Sequence, residues 1–225
     1  MERVPKALHS MVELYGKVFK SDIRGTYLND ALSYDERFKK VEEEVTWRPE
    51  DMDSLPSTTY NLLRKWIHAY HPTIPVVRAV YHRSSINRLG HKFSILSQSV
   101  TDCHVVYRPE GEEWAAACIM EIFSHTRTLE NGTPRTQTFL LLKRYIPLSP
   151  KDAALDRYRD YPIAGGRLFY NDFEEDPIVL PLDMIECHFA SYVRDDDDVG
   201  GTRLLALPLD KVRRSFTPPF TLLTR

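Results

Sequence analysis

The feature that most constrains this chain is the run Ala115-Ala116-Ala117-Cys118-Ile119-Met120, apolar without a break. Trp114 and the Pro109–Glu112 turn bound it, and six apolar residues are too few for a free-standing helix. An extended segment with no polar position is buried on both faces, so the run predicts a central β-strand over Ala115–Arg127. From Glu121 on, Glu121, Ser124 and His125 interrupt Ile122 and Phe123. That change predicts a strand leaving the core toward its rim.

The rest of the chain has to cover that strand, and it has the material to do so. At 225 residues it can bury a real core, and its 42% hydrophobic and 28% charged content is that of an ordinary globular protein. A net charge of −2 speaks against a generally basic nucleic-acid coat, though not against a local patch. No apolar run approaches the ~20 residues of a membrane helix, and the first residues read as an amphipathic helix rather than a signal peptide. Three widely spaced cysteines predict reduced thiols. A nuclear or cytoplasmic protein with no membrane contact is the expectation. Asn131-Gly132-Thr133 fits a glycosylation sequon but reads better as a turn.

The pattern divides the chain into residues 1–75, helical, and 76–225, β-rich. Val4, Leu8, Met11, Tyr15, Val18 and Phe19 form one apolar stripe, and Ser33 with Glu36 has capping-box spacing ahead of Tyr34, Phe38, Val41 and Val45. A further helix is predicted over Ser57–Tyr70, with Tyr60, Leu63, Trp66, Ile67 and Tyr70 inward and His71-Pro72 as its stop. Beyond Pro75, strands are predicted toward the end of Ser94–Tyr107, then at Phe139–Ile146, Arg167–Tyr170, Ile178–Leu180, Cys187–Val193 and Arg203–Leu207. Cys103, Val105 and Tyr107 alternate with His104 and Val106, as in a strand with two different faces. Asn131–Pro134 and Asp195–Asp198 with Gly200-Gly201 are the hairpin tips. Ser149-Pro150-Lys151-Asp152 is a helix start, predicting two or three turns before Pro162. The fold class is α+β: N-terminal helices, then a strongly bent sheet or small β-barrel with one short inserted helix.

Three segments carry a resemblance. Ala117–Phe123, Phe139–Leu148 and Pro181–Ala190 resemble the region that follows the catalytic core in fungal transposase-like proteins of the Kyakuja, Dileera, Zisupton and Plavaka types. Arg157–Pro162 and Gly165–Tyr170 lie between them in the matching order, and Leu207-Pro208-Leu209-Asp210 closes a likeness that spans roughly 55–212. More distantly, Met120–Phe123, Arg144–Pro147 and Pro181 with Ile185 and Cys187 resemble pieces of a bromo-adjacent homology module, without that family's tryptophan in the second strand. The likeness implies a transposon-derived, non-catalytic module that binds a protein or chromatin partner, and the chain leaves no room for a nuclease core alongside this region.

No residue constellation points to chemistry. The chain has no Gly-x-Ser-x-Gly, no His-Glu-x-x-His and no phosphate-cradling Gly-Lys-Ser. Cys103-His104 and Cys187-His188 are poor zinc ligands as strand residues, because neighbours in a strand point to opposite faces. Asp195–Asp198 lacks the spaced carboxylates of a calcium loop. Asp152, Asp156 and Asp160 alternate with Lys151, Arg157 and Arg159 as surface pairs. No catalytic residue, cofactor, metal or small-molecule substrate is therefore expected. Charge is more informative, because no acidic residue occurs between Asp53 and Asp102, whereas Asp35 to Asp53 is acid-rich. Within the basic 64–92 segment, Arg78, Arg83, Arg88 and Lys92 lie in what reads as an irregular connection. They are the candidate contact for an anionic partner, either an acidic protein segment or nucleic acid.

Overall fold

The computed structural model describes residues 52–88, 91–109, 114–160, 165–195 and 201–209. The helices expected before residue 51, with the Ser33–Glu36 capping box, and most of the four-aspartate tip lie outside those residues. Apart from Arg88, the described residues belong to one compact unit.

The long apolar run forms β6 (Ala115–Thr128), joined through a tight hairpin to β7 (Pro134–Pro147). Gly132 takes a left-handed conformation (φ 81°) in the turn, and Asn131 Oδ1 accepts from the Thr133 backbone N–H at 3.1 Å. The sequon is thus a turn device. Around this hairpin stand β1 (Asp53–Ser54), β2 (Ala79–Arg83), β5 (His104–Tyr107), β8 (Arg167–Phe173), β9 (Ile178–Pro181), β10 (Ile185–Asp195) and β11 (Thr202–Pro208). They make a nine-stranded sheet in the order β1-β2-β6-β5-β10-β11-β8-β7-β9. Because β6 also pairs with β7, the strands β6-β5-β10-β11-β8-β7 close into a ring of antiparallel neighbours. Closure removes the open edges that such strands would otherwise present. Strands β3 (Ser85–Arg88) and β4 (His91–Ser94) form a separate two-stranded ribbon.

Both long strands belong to two structures at once. β7 pairs with β6 from Ala117 to Thr128, which occupies one whole edge of β6. On the other edge, Ala115–Cys118 pairs with β5 and Ile122–Ser124 with β2. β7 repeats the arrangement, with Phe139–Leu142 on β9, and Tyr145 and Pro147 on β8. The first half of β6 therefore lines the ring, and its second half enters a wing made with β1, β2 and β9. The helix α1 (Ser57–Tyr70) covers that wing. A helix of 14 residues is marginal alone, so it is held by burial. Leu63 and Ile67, four apart, join Leu55, Val80, Phe123, Phe139, Leu141 and Val179 in one apolar cluster. Trp66 meets Phe139 edge-on at 5.3 Å.

Several expectations need correction. The second half of β6 does not run to a rim, since Ser124, His125 and Arg127 are buried beside that wing cluster. Tyr70 is 57% exposed rather than inward and packs on Trp66 at 4.8 Å. β5 has no exposed face: all four residues are buried, because the ring lies on one side and Phe93 and its neighbours on the other. The inserted helix α2 (Pro150–Ala153) is a single turn, although its cap is as predicted, with Ser149 Oγ accepting from the Asp152 N–H at 3.2 Å. It stops because Asp156 takes over the next backbone donors. Its carboxylate accepts from Tyr158 N and Leu168 N, each at 3.0 Å, and fixes a 3-10 turn over Arg157–Asp160 against β8. Asp156 is 2% exposed and so belongs to the interior, while its expected pairing with Arg159 is present, with Oδ2 3.5 Å from Arg159 Nε.

Candidate functional site

β6 changes neighbour at its β-bulge. Ile119 faces Leu142 and Glu121 faces Leu141 in β7, so Met120 is the extra residue. A bulge re-aims side chains and weakens the local ladder, and here the β5 pairing ends before it and the β2 pairing begins after it. Segment 95–103 bridges the gap. Leu96 N donates to Ile119 O at 2.8 Å, Ile119 N to Cys103 O at 2.9 Å, and Ile95 N to Ser84 O at 3.0 Å. What remains in the fork is a crevice of about 230 Å³ lined by His82, Arg83, Ser84, Ile95, Met120, Glu121 and Ile122.

Its lining is mixed in character. Ile95, Met120 and Ile122 supply apolar surface, while Arg83 and Glu121 supply opposite charges. Glu121 Oε2 is buried and has no hydrogen-bond partner among the described residues. An acceptor in that state costs free energy until a donor reaches it. The arrangement can bind a group that combines aliphatic surface with N–H donors.

The structure scatters the four basic candidates. Arg78 precedes β2, with its guanidinium 4.7 Å above the Tyr60 ring and Nη1 3.5 Å from Ser57 Oγ. Arg83 ends β2 and lines the crevice. Lys92 is exposed on β4. Arg88 ends β3 and is assigned to a different compact unit from the other three. The expected irregular connection is in fact β2, β3 and β4, so three of the four residues sit on strands. Glu121 was missed, since one carboxylate in a strand carries no signal until the bulge is known.

A second constellation lies inside the ring. Cys103 Sγ, Cys118 Sγ and a His104 ring nitrogen all lie within 4.8 Å of one another. The objection that adjacent strand residues diverge does not apply, because Cys103 closes the turn before β5 and only His104 is in the strand. Cys118 faces His104 directly in the β5–β6 register. The Cys118 thiol donates to Cys103 Sγ at 3.3 Å, and the Cys103 thiol to Val100 O at 3.2 Å. That sulfur contact, with burial, pushes the Cys118 thiol well above its ordinary range. Burial, then nearby His188, pushes His104 down toward the neutral form, and it shares a 3.1 Å hydrogen bond with the Tyr145 hydroxyl. Burial also raises the Tyr145 pKa. Cys187 and His188 take no part. His188 donates from Nδ1 to His104 O at 3.0 Å and stacks on Phe93 at 4.4 Å.

His125 and Arg127 are the other buried basic groups among the described residues. Neutral His125 donates from Nε2 to Val77 O at 3.1 Å, and burial holds its pKa down at about 4. Arg127 donates to Gln137 Oε1 at 2.7 Å.

Compared with protein-family models, curated proteins and solved structures, the chain matches none. No helix among the described residues is long and apolar enough to cross a membrane.

Proposed function

We propose that this chain is a non-catalytic binding module and that it engages a protein partner at the fork of β6. The observation that carries the proposal is the unpartnered Glu121 Oε2 in a crevice with apolar walls. A lysine or arginine side chain of a partner supplies both the aliphatic stem and the N–H donors that such a place accepts. Exposed Lys92 on β4 offers a cation to acidic residues of such a partner. The transposase-accessory and bromo-adjacent-homology resemblances favour a chromatin partner and a nuclear setting, and the ring of antiparallel strands is compatible with the second of them.

Nucleic acid is the rival partner, favoured by the absence of any acid between Asp53 and Asp102. Fluorescence anisotropy with a labelled peptide that carries lysine among acidic residues, and with a labelled DNA duplex, separates the two. The module should bind the peptide, and Glu121→Gln should weaken it about tenfold, the worth of one charge-assisted hydrogen bond. If that substitution changes nothing while the duplex binds with affinity falling steeply in salt, phosphate contact is the function.

A further inference from the structure

The sulfur-and-imidazole cluster inside the ring has no part in binding at the fork. Cys103 and Cys118 are 0% exposed and His104 is 6% exposed. His104 and Cys118 are placed by the β5–β6 pairing and Cys103 by its carbonyl, which accepts from Ile119 N at 2.9 Å, with His104 stacked on Phe189 at 5.0 Å. The Tyr145 hydroxyl reaches the His104 ring from β7. Cys118, Tyr145, Phe189 and Leu204 belong to the same buried apolar cluster.

We propose that Cys103, Cys118 and His104 form a closed site for one zinc-class divalent cation, with the Tyr145 hydroxyl hydrogen-bonded to the His104 ring. Two sulfurs and one imidazole are the ligand set that borderline-soft d¹⁰ ions take, and hard cations such as magnesium or calcium do not. Charge fits the surroundings too. Two thiolates cancel the ion's two positive charges and the imidazole is neutral, so the complex enters an uncharged interior with no net charge. Binding is an exchange: the hydrated ion sheds water ligands for two Zn–S bonds and one Zn–N bond, and the two thiols give up their protons to solvent. No oxidant or reductant is needed.

The required movement is small. Tetrahedral zinc with Zn–S bonds of about 2.3 Å places its sulfurs roughly 3.8 Å apart, against 3.3 Å between Cys103 and Cys118. Side-chain rotation of about half an ångström opens that gap, and the imidazole, within 4.8 Å of both sulfurs, moves in by about an ångström at most. The alternative for two such sulfurs is a disulfide, which requires them to close to about 2.05 Å. A disulfide has no use for a third donor, and it is the presence of His104 within 4.8 Å of both sulfurs that favours the metal. The ion would be captured as the ring closes, as in other closed structural sites.

The test uses the full chain, reduced, stripped with a chelator, refolded with zinc in a large excess of magnesium, and desalted. Elemental analysis should find about one zinc per chain, with a higher melting temperature than the stripped protein. Cys187→Ser should keep its zinc and Cys118→Ser should lose at least nine-tenths of it. Should Cys118→Ser not fold, cobalt(II) loaded into the wild-type chain gives the deciding signal, a thiolate-to-cobalt charge-transfer band with tetrahedral visible bands. Zinc no higher than in Cys118→Ser, or cobalt without thiolate bands, overturns the proposal. So does an intact mass two hydrogens light, which would show the two sulfurs joined to each other.

Discussion

His125 illustrates how a single side chain sets a condition on the whole unit. Its ring is 0% exposed and its folded pKa lies at about 4, below the ordinary value of 6.5, because burial disfavours the cation. Between those two pH values the unfolded chain binds a proton that the folded chain refuses. The stability that neutral His125 protects is complete above about pH 6.5 and is lost as pH falls toward 4, up to about 3 kcal/mol. Chemical denaturation at a series of pH values should show that acid limb, and His125→Gln should flatten it. An unchanged limb in the variant would mean that the proton goes elsewhere. Asp156 makes a second test. Asp156→Ala leaves the N–H groups of Tyr158 and Leu168 without their acceptor, a loss of about 2–4 kcal/mol in denaturant titration. Asp156→Asn should lose less, having one acceptor oxygen in place of two. A loss below about 0.5 kcal/mol for Asp156→Ala would fit a surface aspartate and remove the anchor from this account. Neither residue was legible in the sequence as buried, because a helix-spaced aspartate and a strand histidine have the same local pattern in solvent as in a core.

At the scale of elements, β6 was readable because its apolar run leaves no face for water, and β7 because Phe139-Leu140-Leu141-Leu142 repeats that signal. The α1 helix followed from spacing, and α2 from its cap. What the sequence did not display was the polar half of each pattern. Ser85-Ile86-Asn87-Arg88 and His91-Lys92-Phe93-Ser94 are strands whose composition resembles a loop, since a two-stranded ribbon has much of its surface in water. Cys118 could not be joined to Cys103 and His104 without the β5–β6 register. Ile119 is the position where the reading of β6 can be tested. It is 0% exposed, next to the bulge, and bonded through its backbone to both Cys103 and Leu96. Ile119→Asp places a carboxylate there at a cost of several kcal/mol against a total of about 5–15, so the variant should be largely unfolded by circular dichroism at 25 °C. A wild-type melting temperature would show that β6 does not run through the core.

For the molecule as a whole, the proposed function depends on one topological fact. The edge of β6 opposite β7 is shared by two strands, β5 and β2, and the crevice exists because they part at Met120. The sequence predicted a bent or barrel-like sheet from its succession of short strands, but a strand that changes neighbour leaves no trace in hydrophobic period. The same sharing on β7 closes the ring, where Arg144 O accepts from Glu174 N at 2.8 Å between the β8 and β9 pairings. Interstrand backbone NOEs in the labelled full chain measure this directly. The account predicts contacts of Cys118 with His104 and of Phe123 with His82 on one edge of β6, together with Tyr145 to Phe173 across the ring. A β6 that pairs with one strand along that whole edge, or a β7 with no contact to Phe173, would leave neither fork nor ring and would contradict the account.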